Sequence, residues 1–233
     1  MKEEKTNRTK TGIKGFDTLC QGGFVSESLN LIIGNAGAGK TTFILQYLYN
    51  GVKEFNENGI YVSFEPEVKD ILKTAELQNM SLKKFKEEGK IEILKFDPET
   101  TIKKLQSEIS KVVIEKNIKR VCIDPINVYS LGLDKTMNLR KQIYDLLSWL
   151  KKLGVCVLIA GESDEDSSGR YALSQEIKFC KYLVDGVVEL FSSGIGGEGD
   201  RALRISKMRM TKHHRGPLAF SITDDGIKII GKP

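Results

Sequence analysis

Nine consecutive residues, Gly34-Asn35-Ala36-Gly37-Ala38-Gly39-Lys40-Thr41-Thr42, constrain the fold of this chain more than any other stretch. From Gly34 to Thr41 they fit G-x-x-x-x-G-K-[ST], a pattern that has its physical meaning only between a strand and a helix. Both flanks are present: apolar Leu29-Asn30-Leu31-Ile32-Ile33 precedes it, and Thr42-Phe43-Ile44-Leu45-Gln46-Tyr47-Leu48 follows. Gly34, Gly37 and Gly39 allow the backbone to curl until successive N–H groups converge on an anion. The helix behind them offers its positive N-terminal end to the same charge. Lys40 then reaches the terminal phosphates of a nucleoside triphosphate, and the Thr41 hydroxyl ligates Mg²⁺. The competing reading is a Gly-rich turn, and the ordered pattern with both its flanks outweighs it.

Around this loop, strand and helix signals alternate. Short, nearly continuous apolar runs at 29–33, 60–64, 91–96, 121–123 and 155–160 predict strands buried on both faces of a parallel sheet. Amphipathic segments at 41–55, 68–80, 102–116 and 137–153 predict the helices between them. The period then changes: 187–191, Arg201–Met208, 218–222 and 227–230 read as strands joined by turns, with a Gly-rich hairpin loop at 192–199 and a tight turn at Asp224-Asp225-Gly226. The expected fold is therefore α/β, a central mostly parallel sheet flanked by helices and extended by C-terminal antiparallel strands. With 233 residues and no linker or repeat, one domain over 11–233 is expected, behind a polar, mobile tail at 1–10.

No apolar run is long enough for a membrane span and the N-terminus lacks an apolar signal region, so a cytoplasmic location is expected. Cys20, Cys122, Cys156 and Cys180 are far apart with no C-x-x-C pair, which suggests neither a zinc site nor a disulfide framework. The net charge of +5 comes from basic residues spread along the chain without interleaved aromatics. That pattern permits nucleic-acid contact but does not favour it.

Hydrolysis needs more than a cradle: a carboxylate near Mg²⁺, a group that orients water, and positive charge on the γ-phosphate. Arg120-Val121-Cys122-Ile123-Asp124 is an apolar strand ending in an acid, which would set Asp124 beside the loop in the Mg²⁺ shell. Ile60-Tyr61-Val62-Ser63-Phe64-Glu65 ends the same way, so Glu65 is the candidate for orienting or activating water. Glu67, just beyond it, reads as a helix-starting acid. Lys207 and Arg209 lie two apart on a strand and share a face. By composition alone, solvation or the blunting of a sheet edge accounts for them.

Taken together, these motifs resemble the KaiC-like branch of the RecA superfamily of P-loop ATPases. The resemblance runs from Thr11-Gly12-Ile13-Lys14-Gly15-Phe16-Asp17 and Gly22-Gly23-Phe24, through the phosphate loop and Phe64-Glu65. It continues in Lys207-Met208-Arg209-Met210-Thr211-Lys212-His213-His214 and Phe220-Ser221-Ile222-Thr223-Asp224-Asp225-Gly226-Ile227. It implies that Lys207 and Arg209 reach across a subunit interface to the γ-phosphate of a neighbour's ATP. The active form it implies is a homo-oligomeric ring, a hexamer. It also implies that His213 lies near the neighbour's nucleotide and Asp224 near the base or ribose. The chain departs from the pattern at Pro66, where the family often carries a second acid. Pro125 stands where Ser is common, with Asn127 as a candidate to compensate, and Met210 replaces a Gly.

The leading expectation is a Mg²⁺-ATP-dependent, slowly hydrolysing ring that acts as a switch or assembly module on an unidentified protein partner. A RecA-related DNA-handling ATPase is the second. Against it, the segment 162–168 that would face DNA carries Glu162, Asp164, Glu165 and Asp166. A third is a nucleotide-binding scaffold or autokinase with little hydrolysis, for which Ser167 and Ser168 are the accessible hydroxyls.

Overall fold

The computed structural model describes residues 6–131, 139–165, 171–194, 196–197 and 200–231. Residues 1–5 of the expected tail, the helix start expected at 137–138, Asp166, Ser167 and Ser168, and positions 195 and 198–199 of the expected hairpin loop lie outside them. In chain order the elements are β1 (Arg8–Thr9), α1 (Phe16–Leu19), β2 (Phe24–Val25), β3 (Leu29–Gly34), α2 (Lys40–Phe55), β4 (Asn58–Ser63), α3 (Val68–Glu76) and α4 (Leu82–Glu87). They continue with β5 (Ile91–Lys95), α5 (Ile102–Glu115), β6 (Ile118–Asp124), α6 (Ile126–Leu131), α7 (Leu139–Lys152), β7 (Cys156–Glu162), β8 (Asp164–Glu165) and β9 (Tyr171–Ala172). The last are α8 (Gln175–Leu183), β10 (Gly186–Ser192), β11 (Arg201–Met208), β12 (Leu218–Thr223) and β13 (Gly226–Ile229).

Nine strands form one sheet in the order β13-β12-β11-β10-β3-β7-β6-β4-β5. From β10 to β5 all neighbours run parallel, and β11, β12 and β13 extend the sheet antiparallel. The sheet therefore has the expected α/β architecture. β10 departs from the expectation of a C-terminal antiparallel group, because it pairs parallel with β3 over Gly186–Leu190 and Asn30–Gly34. Its residues Val187, Val188 and Leu190 are fully buried, as in a strand covered on both faces.

Each face of the sheet carries its own apolar layer. Phe43, Ile44 and Tyr47 of α2 pack with Phe16, Phe24 and Leu203 on one side. On the other, Leu105 and Ile109 of α5, Ile143 and Leu147 of α7 and Ile177 of α8 cover Leu31, Ile33, Val121 and Ile159. Helix boundaries follow local chemistry. Thr101 caps α5 by accepting from the Lys104 amide (3.3 Å), and Ser174 caps α8 by accepting from Ile177 (3.4 Å). The single helix expected over 68–80 stops at Glu76, where Asn79 turns left-handed and α4 starts separately.

The tail expectation fails at its C-terminal half. Arg8 and Thr9 pair antiparallel with Val25 and Phe24, and the Arg8 guanidinium donates to the Thr211 hydroxyl (2.6 Å). The Lys10 carbonyl accepts from the buried Arg120 guanidinium (2.8 Å). A polar composition conceals this because the stabilising contacts are backbone hydrogen bonds and long-range polar pairs, not apolar burial.

Candidate active site

The sheet order brings the carboxyl ends of β3, β7, β6 and β4 side by side. Gly34 pairs with Glu162 at the ends of β3 and β7, and Ser63 with Asp124 at the ends of β4 and β6. Parallel α/β sheets bind ligands at this edge, beyond the strand ends. A cavity of about 550 Å³ opens there, lined by Lys40, Thr41, Glu65, Asp124 and Glu162 among others.

The phosphate loop is built from local constraints. Gly39 adopts φ +96°, and a Cβ there would meet Ile222 Cδ1 at 2.9 Å. At Gly34 a Cβ would lie 2.5 Å from the Leu190 carbonyl, so β3 and β10 approach closely only without a side chain. Asn35 ties the loop to the end of β10: its amide donates to the Ser192 carbonyl (2.9 Å) and its oxygen accepts from the Ser192 N–H (3.2 Å). Ala38 is buried beneath the loop, and Ala36, Gly37 and Thr42 line the cavity. The 16-residue α2 begins at Lys40, directing its free N–H groups to the same space.

Lys40 is buried. Its ammonium donates to the carbonyls of Gly34 (2.8 Å) and Asn35 (3.0 Å) and lies 3.6 Å from a Glu162 carboxylate oxygen. Thr41 donates its hydroxyl proton to Asp124 Oδ2 (2.9 Å), and the buried Tyr61 hydroxyl donates to the same oxygen (2.6 Å). Burial pushes the Asp124 carboxyl above its ordinary range, and the Tyr61 and Thr41 hydrogen bonds partly oppose that rise. Thr41 and Asp124 offer two hard oxygen donors, the usual protein share for Mg²⁺, which takes its remaining ligands from phosphates and water. The residues present thus fit a nucleotide with a divalent cation.

Glu65 lies exposed at the cavity wall beside Pro66. Glu67 is the residue preceding α3, and its carbonyl accepts from Asp70 and Ile71. Asn127 is not among the residues that line the cavity, although Pro125 is. Its side chain instead clamps the end of β7, accepting from the Glu162 N–H (2.6 Å) and donating to the Glu162 carbonyl (3.4 Å).

Lys207 and Arg209 lie at the other end of the β3–β10 ladder. Lys207 pairs with Val187 and Met208 with Gly186, whereas the phosphate loop follows Gly34, the partner of Leu190. From Gly186 to Leu190 the ladder runs about 13 Å at strand rise. The Lys207 ammonium donates to the carbonyls of Lys181 (2.9 Å), Tyr182 (3.3 Å) and Val184 (2.6 Å), closing the C-terminal end of α8. Arg209 pairs with Asp185 (3.2 Å), which also holds Lys151 (2.9 Å). Nor does His213 join the cavity; its ring Nδ1 lies 2.9 Å from the His214 carbonyl, whose own N–H donates to Leu19. Asp224 is exposed in the β12–β13 turn.

Sequence reasoning missed Glu162, Tyr61 and Gln78 as site residues. Gln78 donates to the Thr42 hydroxyl (2.9 Å) from the end of the α3 segment. For Glu162 the signal was available: an apolar strand ending in an acid, as for Asp124.

The family model "ATPase: KaiC" matches residues 9–233. The chain belongs to the KaiC family. Among its KaiC relatives, the circadian clock oscillator protein KaiC of Synechococcus elongatus is 32% identical over 233 residues, covering 95% of this chain and 44% of that protein. The Prochlorococcus marinus protein of the same name is 31% identical over 234 residues, covering 96% and 45%. The chain thus spans less than half the length of these KaiC proteins. A solved KaiC-like protein from Pyrococcus horikoshii OT3 superposes with a TM-score of 0.85 at 30% identity, over 97% of this chain and 100% of that one. The fold is RecA-like, and the KaiC family to which the chain belongs is one of P-loop ATPases. Among the described residues, no helix is long and apolar enough to cross a membrane.

Proposed function

We propose that this chain is a Mg²⁺-dependent, slowly hydrolysing ATPase that works as a ring-forming switch or assembly module. The observation that carries the proposal is the convergence of Lys40, Thr41, Asp124 and Glu65 on one cavity at the carboxyl edge of the sheet. In this reading Lys40 and the start of α2 hold the phosphates, and Thr41 and Asp124 hold Mg²⁺. Bound Mg²⁺ would supply positive charge to the phosphate oxygens. Glu65 orients the attacking water and takes its proton. Of the two positions directly after Phe64 only Glu65 is an acid, since Pro66 has no carboxylate to share that work, and this supports slow turnover.

Among the described residues that line the cavity the cation is Lys40, and Lys207 and Arg209 sit at the far end of the sheet. Their contribution from a neighbouring subunit, as the family resemblance implies, gives a ring with nucleotide at each interface. Phosphate release and oligomer mass, measured with Mg²⁺-ATP for wild type, Glu65→Gln and Arg209→Ala, test the reading. Wild type is expected to assemble and release phosphate slowly, and both variants to lose at least tenfold in rate. Full activity in Arg209→Ala would refute the contribution in trans. ATP binding without phosphate release in wild type would refute the ATPase itself.

A further inference from the structure

We infer that Glu162 sets the preference of this site between nucleoside triphosphate and diphosphate. The inference rests on the reading of the cavity as a nucleotide site and adds a residue to it. Lys40 is a buried cation whose acidic neighbour is the half-exposed Glu162 carboxylate at 3.6 Å. A phosphate-loop lysine has to deliver this ammonium to the terminal phosphates. Glu162 therefore occupies the flank of Lys40 that a γ-phosphate needs, with charge of the same sign as the phosphate.

Its position is fixed from three directions. Glu162 is the register partner of Gly34, the first residue of the phosphate loop. Asn127 clamps both its N–H and its carbonyl. The next residue, Ser163, donates its N–H to the Gly34 carbonyl (3.2 Å), the same oxygen that accepts from Lys40. The carboxylate cannot retreat by moving the end of β7 without opening these contacts. It can only swing its side chain away from Lys40.

A diphosphate ends one phosphate short and leaves the contact between Lys40 and Glu162 less disturbed. A triphosphate displaces Glu162 and then bears its repulsion, alongside Asp124 and Glu65 in the same cavity. The penalty falls on the γ-phosphate, so the residue lowers affinity for ATP more than for ADP.

The test is direct binding of ATP and ADP, each with Mg²⁺, to the full chain by calorimetry under conditions too brief for turnover. Glu162→Gln keeps shape and removes charge. It is expected to tighten ATP binding about tenfold while changing ADP binding less than twofold. Glu162→Asp withdraws the carboxylate by one methylene and should fall between, with thermal unfolding confirming that both variants fold. Equal changes for the two nucleotides, or none, would overturn the role of Glu162 and leave the nucleotide site standing. Wild type that binds neither nucleotide would overturn both.

Discussion

Asp185 offers a way to separate what Arg209 does for this subunit from what it is proposed to do for the next. Its carboxylate, largely buried, accepts from the Leu29 N–H (3.1 Å), and pairs with Lys151 (2.9 Å) and Arg209 (3.2 Å). Asp185→Asn removes both ion pairs and leaves an oxygen for Leu29. Lys151 and Arg209 are each half-exposed, so solvent screens them, and each pair contributes about 0.5–1 kcal/mol. The expected loss is about 1–2 kcal/mol, or roughly 3–6 °C in Tm for a domain of this size. Burial alone would raise the Asp185 carboxyl, but Lys151, the Leu29 amide and Arg209 together hold it below its usual range. A group depressed on folding stabilises fully above its unfolded pKa, about 3.9, and loses that contribution as pH falls through the lower folded value. Urea unfolding followed by the fluorescence of Trp149, the single tryptophan, should therefore show a constant gap between wild type and variant from pH 5 to 8. The gap should close below about pH 4 and narrow in high salt. Because the Arg209 main-chain N–H still donates to the Asp185 carbonyl (3.0 Å), the backbone that carries Arg209 stays in place and phosphate release should survive. A gap that persists undiminished in acid, or that is absent at pH 7 in low salt, would refute this account of Asp185.

Two further outcomes follow from the buried polar frame and the loop. Arg120→Met should cost about 3–5 kcal/mol in urea unfolding, because it strands Glu57 and the carbonyls of Tyr47 and Lys10 that the fully buried guanidinium serves. Arg120→Lys should not rescue it, since one ammonium cannot span that fork of acceptors or stack on the Tyr47 ring 4.4 Å away. Gly39→Ala forces a side chain into φ +96° against Ile222, at about 1–2 kcal/mol for the backbone alone. It should weaken ATP binding more than tenfold in calorimetry, and a variant that binds as wild type does would show that the loop relaxes freely.

What was legible in the sequence was what local pattern determines. The loop needs only its own glycines and flanks, and the buried strands announce themselves by unbroken apolar runs. Asp124 and Glu65 could be found because strand ends of a parallel sheet converge, whichever strands neighbour one another. Glu162 carried the same signal, yet its meaning depends on β7 lying beside β3, and no local pattern encodes that pairing. Tyr61 was hidden differently: inside a buried strand an aromatic reads as core, and only the sheet order reveals that its hydroxyl reaches Asp124. Helix α8 was missed because Ile177 and Cys180 are its fully buried residues in a charged segment, too few to make a periodic stripe. The parallel pairing of β10 was missed since alternation fixes a strand's faces, not its direction.

Lys207 and Arg209 lie where the chain has run past the pairing of β11 with β12, which covers Ala202 and Leu203. Their two environments differ. Burial and the neighbouring Arg209 charge lower the Lys207 pKa, while three carbonyls of the α8 terminus hold its ammonium. Moving that ammonium toward another subunit would leave those carbonyls without their donor. Arg209 is tied through one half-exposed pair to Asp185, and a guanidinium can keep such a contact while presenting its other N–H groups elsewhere. In the proposed ring Arg209 therefore brings its charge to the interface without disturbing α8, whereas Lys207 brings its own only by giving up the carbonyls that it closes.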